Sequence, residues 1–528
     1  MITSPAKVCS PSSGGLIRNL EWQGILVIAI VVGITLRMTL RFSTTLWEDE
    51  IIAATHAVQP VARLITNVVI HDIHPPLYFL ELHFWSSLGQ TDSWLVANST
   101  LFSVVALASI LYTVHRTMDL AHALGSAAVL AVLPSAIWMA QELRMYAMLS
   151  VILIWLFYFT HLFFARAEQS ARNFFGVLIL GTATVYTHAI GFFAVFFYAV
   201  YAASWLFTRR ASRRDWLLWF LAFAIVGVMA IPLLVGDMVH KADMPPPAGL
   251  SDIAGWMGSV VTGEGYKTVP WLEPAGAFIF ILIMCLGTAY LQTRRVTWCF
   301  LILPMFFCFA LGVTVKPIFK ANFFSTFFSP FLAIVVASLV ISLPFGRVIR
   351  STLLGCVLGA LLVMAVVNRL ALDATNGYYG RVASAIAHEK QAGDVVWAPQ
   401  GDIFWGMAWY LIGPDWGSPL AIATPFRPQS RWWKVFDWLG PDLVQNLGVL
   451  PTSQTITTSD GLPIMMGAES QPKVQQAKRV WLVTYAPRND IPDTLPGEEL
   501  GSMRKVRTLS FPPVQLDLYA GNAGVVPR

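Results

Sequence analysis

The chain has 528 residues, of which 56% are apolar and 12% charged, and its net charge is +5. Globular chains average about 45–50% apolar and about 25% charged, so the composition excludes an ordinary soluble enzyme, and it is too hydrophobic for disorder. Five cysteines exclude a disulfide scaffold, which leaves a polytopic membrane protein. The basic excess reads as the inward bias of Lys and Arg in such proteins, and no nucleic-acid motif accompanies it.

Crossing a bilayer takes about 20 apolar residues. Eleven windows qualify, near 22–40, 94–114, 122–141, 147–165, 173–189, 190–208, 216–236, 274–292, 297–315, 322–344 and 351–369. The first follows Lys7 and Arg18 and lacks a small-residue cleavage site, so it reads as a retained span with residues 1–21 as a cytoplasmic segment. With the N-terminus inside, the inner loops hold Arg116, Arg166, Arg172, Arg209, Arg210, Arg213, Arg214, Arg294, Arg295, Arg347 and Arg350. The run Leu77–Leu88 is too short to span and carries Glu81 and His83. It is expected as an interfacial or re-entrant helix in the first outer loop, residues 41–93, because a span there would move the following basic loops to the wrong side.

The fold expected is therefore a polytopic α-helical membrane domain over 22–370, followed by a soluble α/β domain over 371–528 on the outer face. In that second region 394–399, 419–424, 480–485 and 514–520 read as strands, and Ala383–Gln391 and Trp432–Leu439 as helices. Its Trp397, Trp405, Trp409, Trp416, Trp432 and Trp433 suit a core or a membrane interface, and aromatic faces also stack on sugars.

Chemistry-bearing residues collect on one side of the membrane. Glu48-Asp49-Glu50 follows the first span, and adjacent acids at a membrane surface suit a general base or the N-terminal turn of a helix starting near Ile51. His71-Asp72-Ile73-His74-Pro75-Pro76 lies in the same loop, with prolines that open the next helix. Asp49, Asp72 and His74 are candidate ligands for a divalent metal, although their spacing matches no strong signature. Gln141 to Tyr146 places Glu142 and Arg144 at the outer end of the third span, where Arg144 either pairs locally or clamps a phosphate. His188 sits at the turn between the fifth and sixth spans, and Lys316 and Lys320 lie before the tenth. Cations on the outer face suit a lipid phosphate. His240, Lys241, Glu264 and Lys267 occupy a further long outer loop.

At these residues the chain resembles the GT-C superfamily of glycosyltransferases, in the bacterial branch similar to dolichyl-phosphate-mannose–protein mannosyltransferases and the lipid A aminoarabinose transferase. The resemblance rests on Asp49-Glu50, His74 to Tyr78, Gln141 to Tyr146, Tyr186 to Gly191 and Lys316-Pro317, and spans about residues 20–370. It departs from the family pattern at Asn98 and Asn322, where relatives often carry Arg. It implies transfer of a hexosyl or pentosyl group from a polyprenyl-phosphate donor to a hydroxyl of a lipid, glycan or protein, with inversion, at the outer face of the cell membrane. Asp49 would be the base and Glu50 its support, or the two would exchange roles. Arg144, Lys316 and Lys320 would hold the donor phosphate. Asp72, His74, Tyr78, Glu142, Tyr146 and His188 would shape the donor and acceptor sites. The competing reading is a transporter or flippase of lipid-linked glycans, which calls for ionisable residues near the bilayer midplane and matched broken spans.

Overall fold

A computed structural model describes residues 13–39, 45–71, 74–188, 190–239, 250–263, 271–314, 321–373, 377–414, 454–467, 470–485, 500 and 503–521. The helices run α1 Ser13–Thr39, α2 Glu48–Ala57, α3 Val61–His71, α4 Leu77–Ser86, α5 Asp92–Thr117, α6 Leu120–Val132, α7 Pro134–Gln141, α8 Tyr146–Thr160, α9 Ala171–Thr187 and α10 Gly191–Thr208. They continue as α11 Arg213–Val239, α12 Leu250–Thr262, α13 Leu272–Ala289, α14 Leu291–Thr297, α15 Leu303–Thr314, α16 Ala321–Ser342, α17 Arg347–Asp373, α18 Tyr378–Glu389 and α19 Gly401–Leu411.

A helix occupies each of the eleven apolar windows. Among the described residues, five helices are long and apolar enough to cross a membrane, or six if the bent pair α6 and α7 is one span. The 12-residue apolar run forms the short helix α4, as its length and flanking prolines predict. Pro60, Pro75 and Pro76 divide the segment after α1 into three short helices rather than a span.

The 62° bend between α6 and α7 falls at Pro134. Proline has no N–H, so the carbonyl of Leu130, four residues back, loses its helical donor. The buried Arg37 of α1 makes up the loss. Its Nη2 donates to the Leu130 carbonyl at 2.9 Å, its Nη1 donates to the Ala131 carbonyl, and its Nε donates to Ser103 Oγ at 2.8 Å. The guanidinium reaches α6 because Gly33 lets the backbones approach, and a Cβ at that position would collide with the Ala131 carbonyl.

The C-terminal region is built on a six-stranded mixed sheet, with β1 Asp394–Ala398, β2 Gln454–Thr457, β3 Pro463–Met466, β4 Arg479–Tyr485, β5 Arg504–Phe511 and β6 Val514–Ala520 in the order β2-β3-β1-β4-β6-β5. β1 is parallel to both β3 and β4, and all five of its residues are buried, as a strand covered on both faces requires. The strands expected at 394–399, 480–485 and 514–520 are β1, β4 and β6, and the helix expected at Ala383–Gln391 overlaps α18. Trp397 and Trp409 are core residues and Trp405 is half-buried. The elements expected at 419–424 and Trp432–Leu439, with Trp416, Trp432 and Trp433, lie outside the described residues.

Gly33→Ala is expected to cost about 1–3 kcal/mol by overpacking the α1–α6 contact. Gly24→Ala, where a Cβ meets nothing within 4 Å, is the control and should be neutral or slightly stabilising. Thermal unfolding of both variants in detergent checks the difference.

Candidate active site

Two turns meet here. The first leads into α2, which begins at Glu48 rather than near Ile51, so Glu48, Asp49 and Glu50 all lie in its first turn. The helix dipole favours acids at that end. Glu50 Oε2 accepts from the Trp47 N–H at 3.1 Å, which is one half of a capping box. Its Oε1 accepts from the N–H of Leu143 at 2.8 Å, in the second turn, between α7 and α8. Trp47 ties the same two turns again, its Nε1 donating to Glu142 Oε2 at 2.7 Å. Glu50 and Glu142 are buried, and these donors stand where water would otherwise be.

Asp49 is in a different setting. Its side chain is 36% exposed, while that of the neighbouring Arg144 is 4% exposed. Arg144 Nη2 lies 3.7 Å from Asp49 Oδ2, and Nη1 donates to the Asp49 carbonyl at 3.1 Å. The same guanidinium reaches His74, with Nη2 3.3 Å from Nε2. Arginine only donates, so this His74 nitrogen is the acceptor.

His74 stands edge-on to His188, with ring centroids 5.3 Å apart. His188 Nδ1 accepts from the Ile190 N–H at 3.1 Å. Burial first, then the neighbouring His74 and the Arg144 charge, hold its pKa well below the ordinary histidine value, so the ring is uncharged at neutral pH. Tyr146 lies 6.1 Å from His188 and is stacked with Trp138 at 6.1 Å. Tyr78 is fully buried in α4, near the charges of Glu81, Arg144 and Glu50.

The structure thus gathers Asp49, Glu50, His74, Glu142, Arg144, Tyr146 and His188 into one cluster. Asp72, His240, Lys241, Glu264, Lys267, Lys316 and Lys320 lie outside the described residues. Among the described residues, no three His, Cys, Asp or Glu side chains form a metal-binding group. Of the three candidate ligands, Asp49 and His74 are both engaged by the Arg144 guanidinium, and a cation already placed against both does not fit a divalent ion between them.

Asn98 is taken up by a different partner. Its Nδ2 donates to Glu81 Oε1 at 2.7 Å, across from α5 to α4. Burial raises the Glu81 carboxyl above the usual carboxylate range, and the hydrogen bond from Asn98 opposes that shift. An apolar recess of about 480 Å³ opens between α12, α13 and α15, lined by residues that include Met257, Met284, Trp298, Met305 and Phe309.

Trp47 and Glu81 were not singled out as site residues from the sequence. Trp47 directly precedes the acidic string, and the only local signal for its role is the Glu three residues on, the second half of a capping box. Nothing near Glu81 in sequence points to Asn98, which is 17 residues away.

Two outcomes follow for stability. Glu50→Gln leaves one buried backbone N–H facing an amide N–H₂, and should cost about 1–3 kcal/mol by thermal or denaturant unfolding. Glu81 retains its proton in the folded state over a range where the unfolded chain has released it. Its favourable contribution is therefore full below the ordinary carboxylate pKa and is lost as pH rises through the raised one. Glu81→Gln should flatten that part of the stability–pH curve, and an unchanged curve would contradict the assignment.

No protein-family model matches the chain, and no curated protein matches it by sequence. Solved structures do match. ArnT from Cupriavidus metallidurans in the apo state superposes with a TM-score of 0.59 at 12% identity, covering 97% of this chain and all 100% of that one. The structure of the same protein bound to undecaprenyl phosphate gives 0.53 at 11% identity, covering 96% of this chain and 100% of that one. At such identities the likeness is one of fold alone: the chain shares the fold of ArnT, in keeping with the resemblance read from Asp49-Glu50, His74 to Tyr78 and Gln141 to Tyr146.

Proposed function

We propose that the protein is a glycosyltransferase that moves a sugar from a polyprenyl-phosphate donor to an acceptor hydroxyl at the outer face of the membrane, with inversion and with Asp49 as general base. The observation that carries this reading is the unequal treatment of the acids. Glu50 and Glu142 are buried and occupied by backbone and indole donors, whereas Asp49 is partly exposed at the mouth of the same cluster. An acid that must take a proton from an incoming hydroxyl has to be reachable, and its neighbours have to be fixed. The fold shared with ArnT, whose structure is known with undecaprenyl phosphate bound, supports a lipid-phosphate donor.

In this mechanism an Asp49 carboxylate oxygen accepts the acceptor's hydroxyl proton as that oxygen bonds to the anomeric carbon. The carbon–oxygen bond to phosphate breaks on the opposite face, and the electron pair leaves with the polyprenyl phosphate. Arg144 stabilises the charge that develops on the leaving phosphate. Lys316, Lys320 and Asp72 are proposed to complete the donor and acceptor sites. Glu50 acts as the tie between the two turns, which makes it a positioning residue and leaves the base role to Asp49. His74 accepts from the same Arg144 nitrogen that faces Asp49, and His188 stands edge-on behind His74. The apolar recess suits a polyprenyl tail. The topology we propose has eleven spans, the N-terminus in the cytoplasm, and residues 371–528 as an α/β domain on the periplasmic side of the inner membrane.

Asp49→Asn should lower kcat by about 10²–10⁴-fold, the usual range for losing a general base, and leave the melting temperature close to that of the wild type. Arg144→Gln should weaken donor binding as well as turnover. Turnover of the Asp49→Asn variant at the wild-type rate would remove Asp49 as the base.

A further inference from the structure

The α/β region lies against the acidic turn, and the contact is made by tyrosine hydroxyls. Tyr485, the last residue of β4, donates to Glu48 Oε2 at 2.9 Å. Glu48 is the residue directly before Asp49. Tyr379 of α18 lies 3.3 Å from the Tyr485 hydroxyl, oxygen to oxygen. Tyr410 of α19 accepts from the Leu46 N–H and donates to Asp92 Oδ2 at 2.7 Å, at the start of α5. Trp409 Nε1 donates to the other oxygen of Asp92 at 3.2 Å. Thr45 fills the space over Gly377 and Gly380, where a Cβ on either would touch its side chain.

Each bond has a consequence for the turn. Leu46 and Trp47 precede the first helical residue of α2, so their N–H groups have no helical partner. Glu50 satisfies that of Trp47, and Tyr410 satisfies that of Leu46. Glu48 and Asp49 are adjacent acids that repel each other. A donor from Tyr485 draws the Glu48 carboxylate toward the sheet and so separates it from Asp49. Burial and the nearby Asp92 keep the Tyr410 phenol protonated, so it remains a donor to Asp92 while its oxygen accepts from Leu46.

We propose that Tyr410 and Tyr485 are positioning residues that clamp the Leu46–Glu48 turn, so that the C-terminal α/β region is a working part of the acidic site and sets where Asp49 stands. The proposal rests on Asp49 as the base for its catalytic consequence, but the clamp itself is a structural statement that needs no substrate to test. The sheet residue Tyr485 and the helix residue Tyr410 hold the turn from the α/β side, while Glu50 and the Trp47 indole hold it from the helical side. Removing the two hydroxyls frees the α/β side alone.

The test uses the full chain with Tyr410→Phe, Tyr485→Phe and the pair combined, since phenylalanine keeps the rings and the packing. Hydrogen–deuterium exchange of the peptide covering residues 46–50 is measured without substrate, beside peptides from β1 and β4 as controls. The double variant should exchange in that peptide about fivefold faster or more, as expected for losing a hydrogen bond of ordinary strength, with the sheet peptides unchanged. In the transfer assay kcat should fall while KM for the donor stays as it was, because the base moves and the phosphate site does not. Unchanged exchange over 46–50 would overturn the clamp. Faster exchange with unchanged kcat would overturn its role in positioning Asp49. A wild type that transfers no sugar would count against the proposed function, and the exchange result would still decide the clamp.

Discussion

The site depends on one buried carboxylate. Glu50 accepts from the Trp47 N–H on one side and the Leu143 N–H on the other, and so joins the turn that opens α2 to the turn between α7 and α8. Both turns would otherwise end in backbone donors sealed from water, which is costly. Because Glu50 is buried and both its oxygens are engaged, the turns have little freedom to slide past each other. Asp49 and Arg144, adjacent to the two anchor points, are brought within 3.7 Å of each other as a result. Trp47 and Glu142 repeat the tie with side chains alone.

The acids of this region show how environment divides labour among identical groups. Glu50 and Glu142 are buried and serve as acceptors for fixed donors. Glu81 is shielded by α4 and α5 and has a raised pKa. Glu48 is drawn toward the sheet by Tyr485. Asp49 keeps a third of its surface open beside a cation. An exposed acid with rigid neighbours is the arrangement that proton abstraction needs, and it recurs wherever a base must be accessible yet held in place.

Much of the fold was legible in the sequence because the signals were local. Apolar windows of bilayer length became helices, the short run after Pro75 and Pro76 became α4, and β1, β4 and β6 were visible as apolar runs between turns. The residues that the fold gathers were each visible in the sequence, Asp49, Glu50, His74, Glu142 and Arg144 in charged runs and His188 alone at a turn. Their pairing was not, because it depends on contacts across long stretches of chain. Trp47 and Glu142 are 95 residues apart, Tyr485 and Glu48 are 437 apart, and no periodicity records either bond. The bend at Pro134 was likewise hidden within one apolar window, and the Arg37 that compensates it lies 93 residues from the freed Leu130 carbonyl. Asn98 looked like a lost cation from sequence alone, and becomes intelligible once Glu81 is found opposite it.

The most direct test is a transfer reaction with the purified wild-type protein in lipid, a panel of labelled polyprenyl-phosphate sugars, and membrane extract as acceptor source. The account predicts that label from one donor moves into a membrane-extract component, that polyprenyl phosphate is released in equal amount, and that the anomeric configuration of the product is opposite to that of the donor. If no donor yields a labelled product, while labelled lipid-linked glycan crosses the bilayer of sealed vesicles, the transferase account is wrong and the flippase reading takes its place.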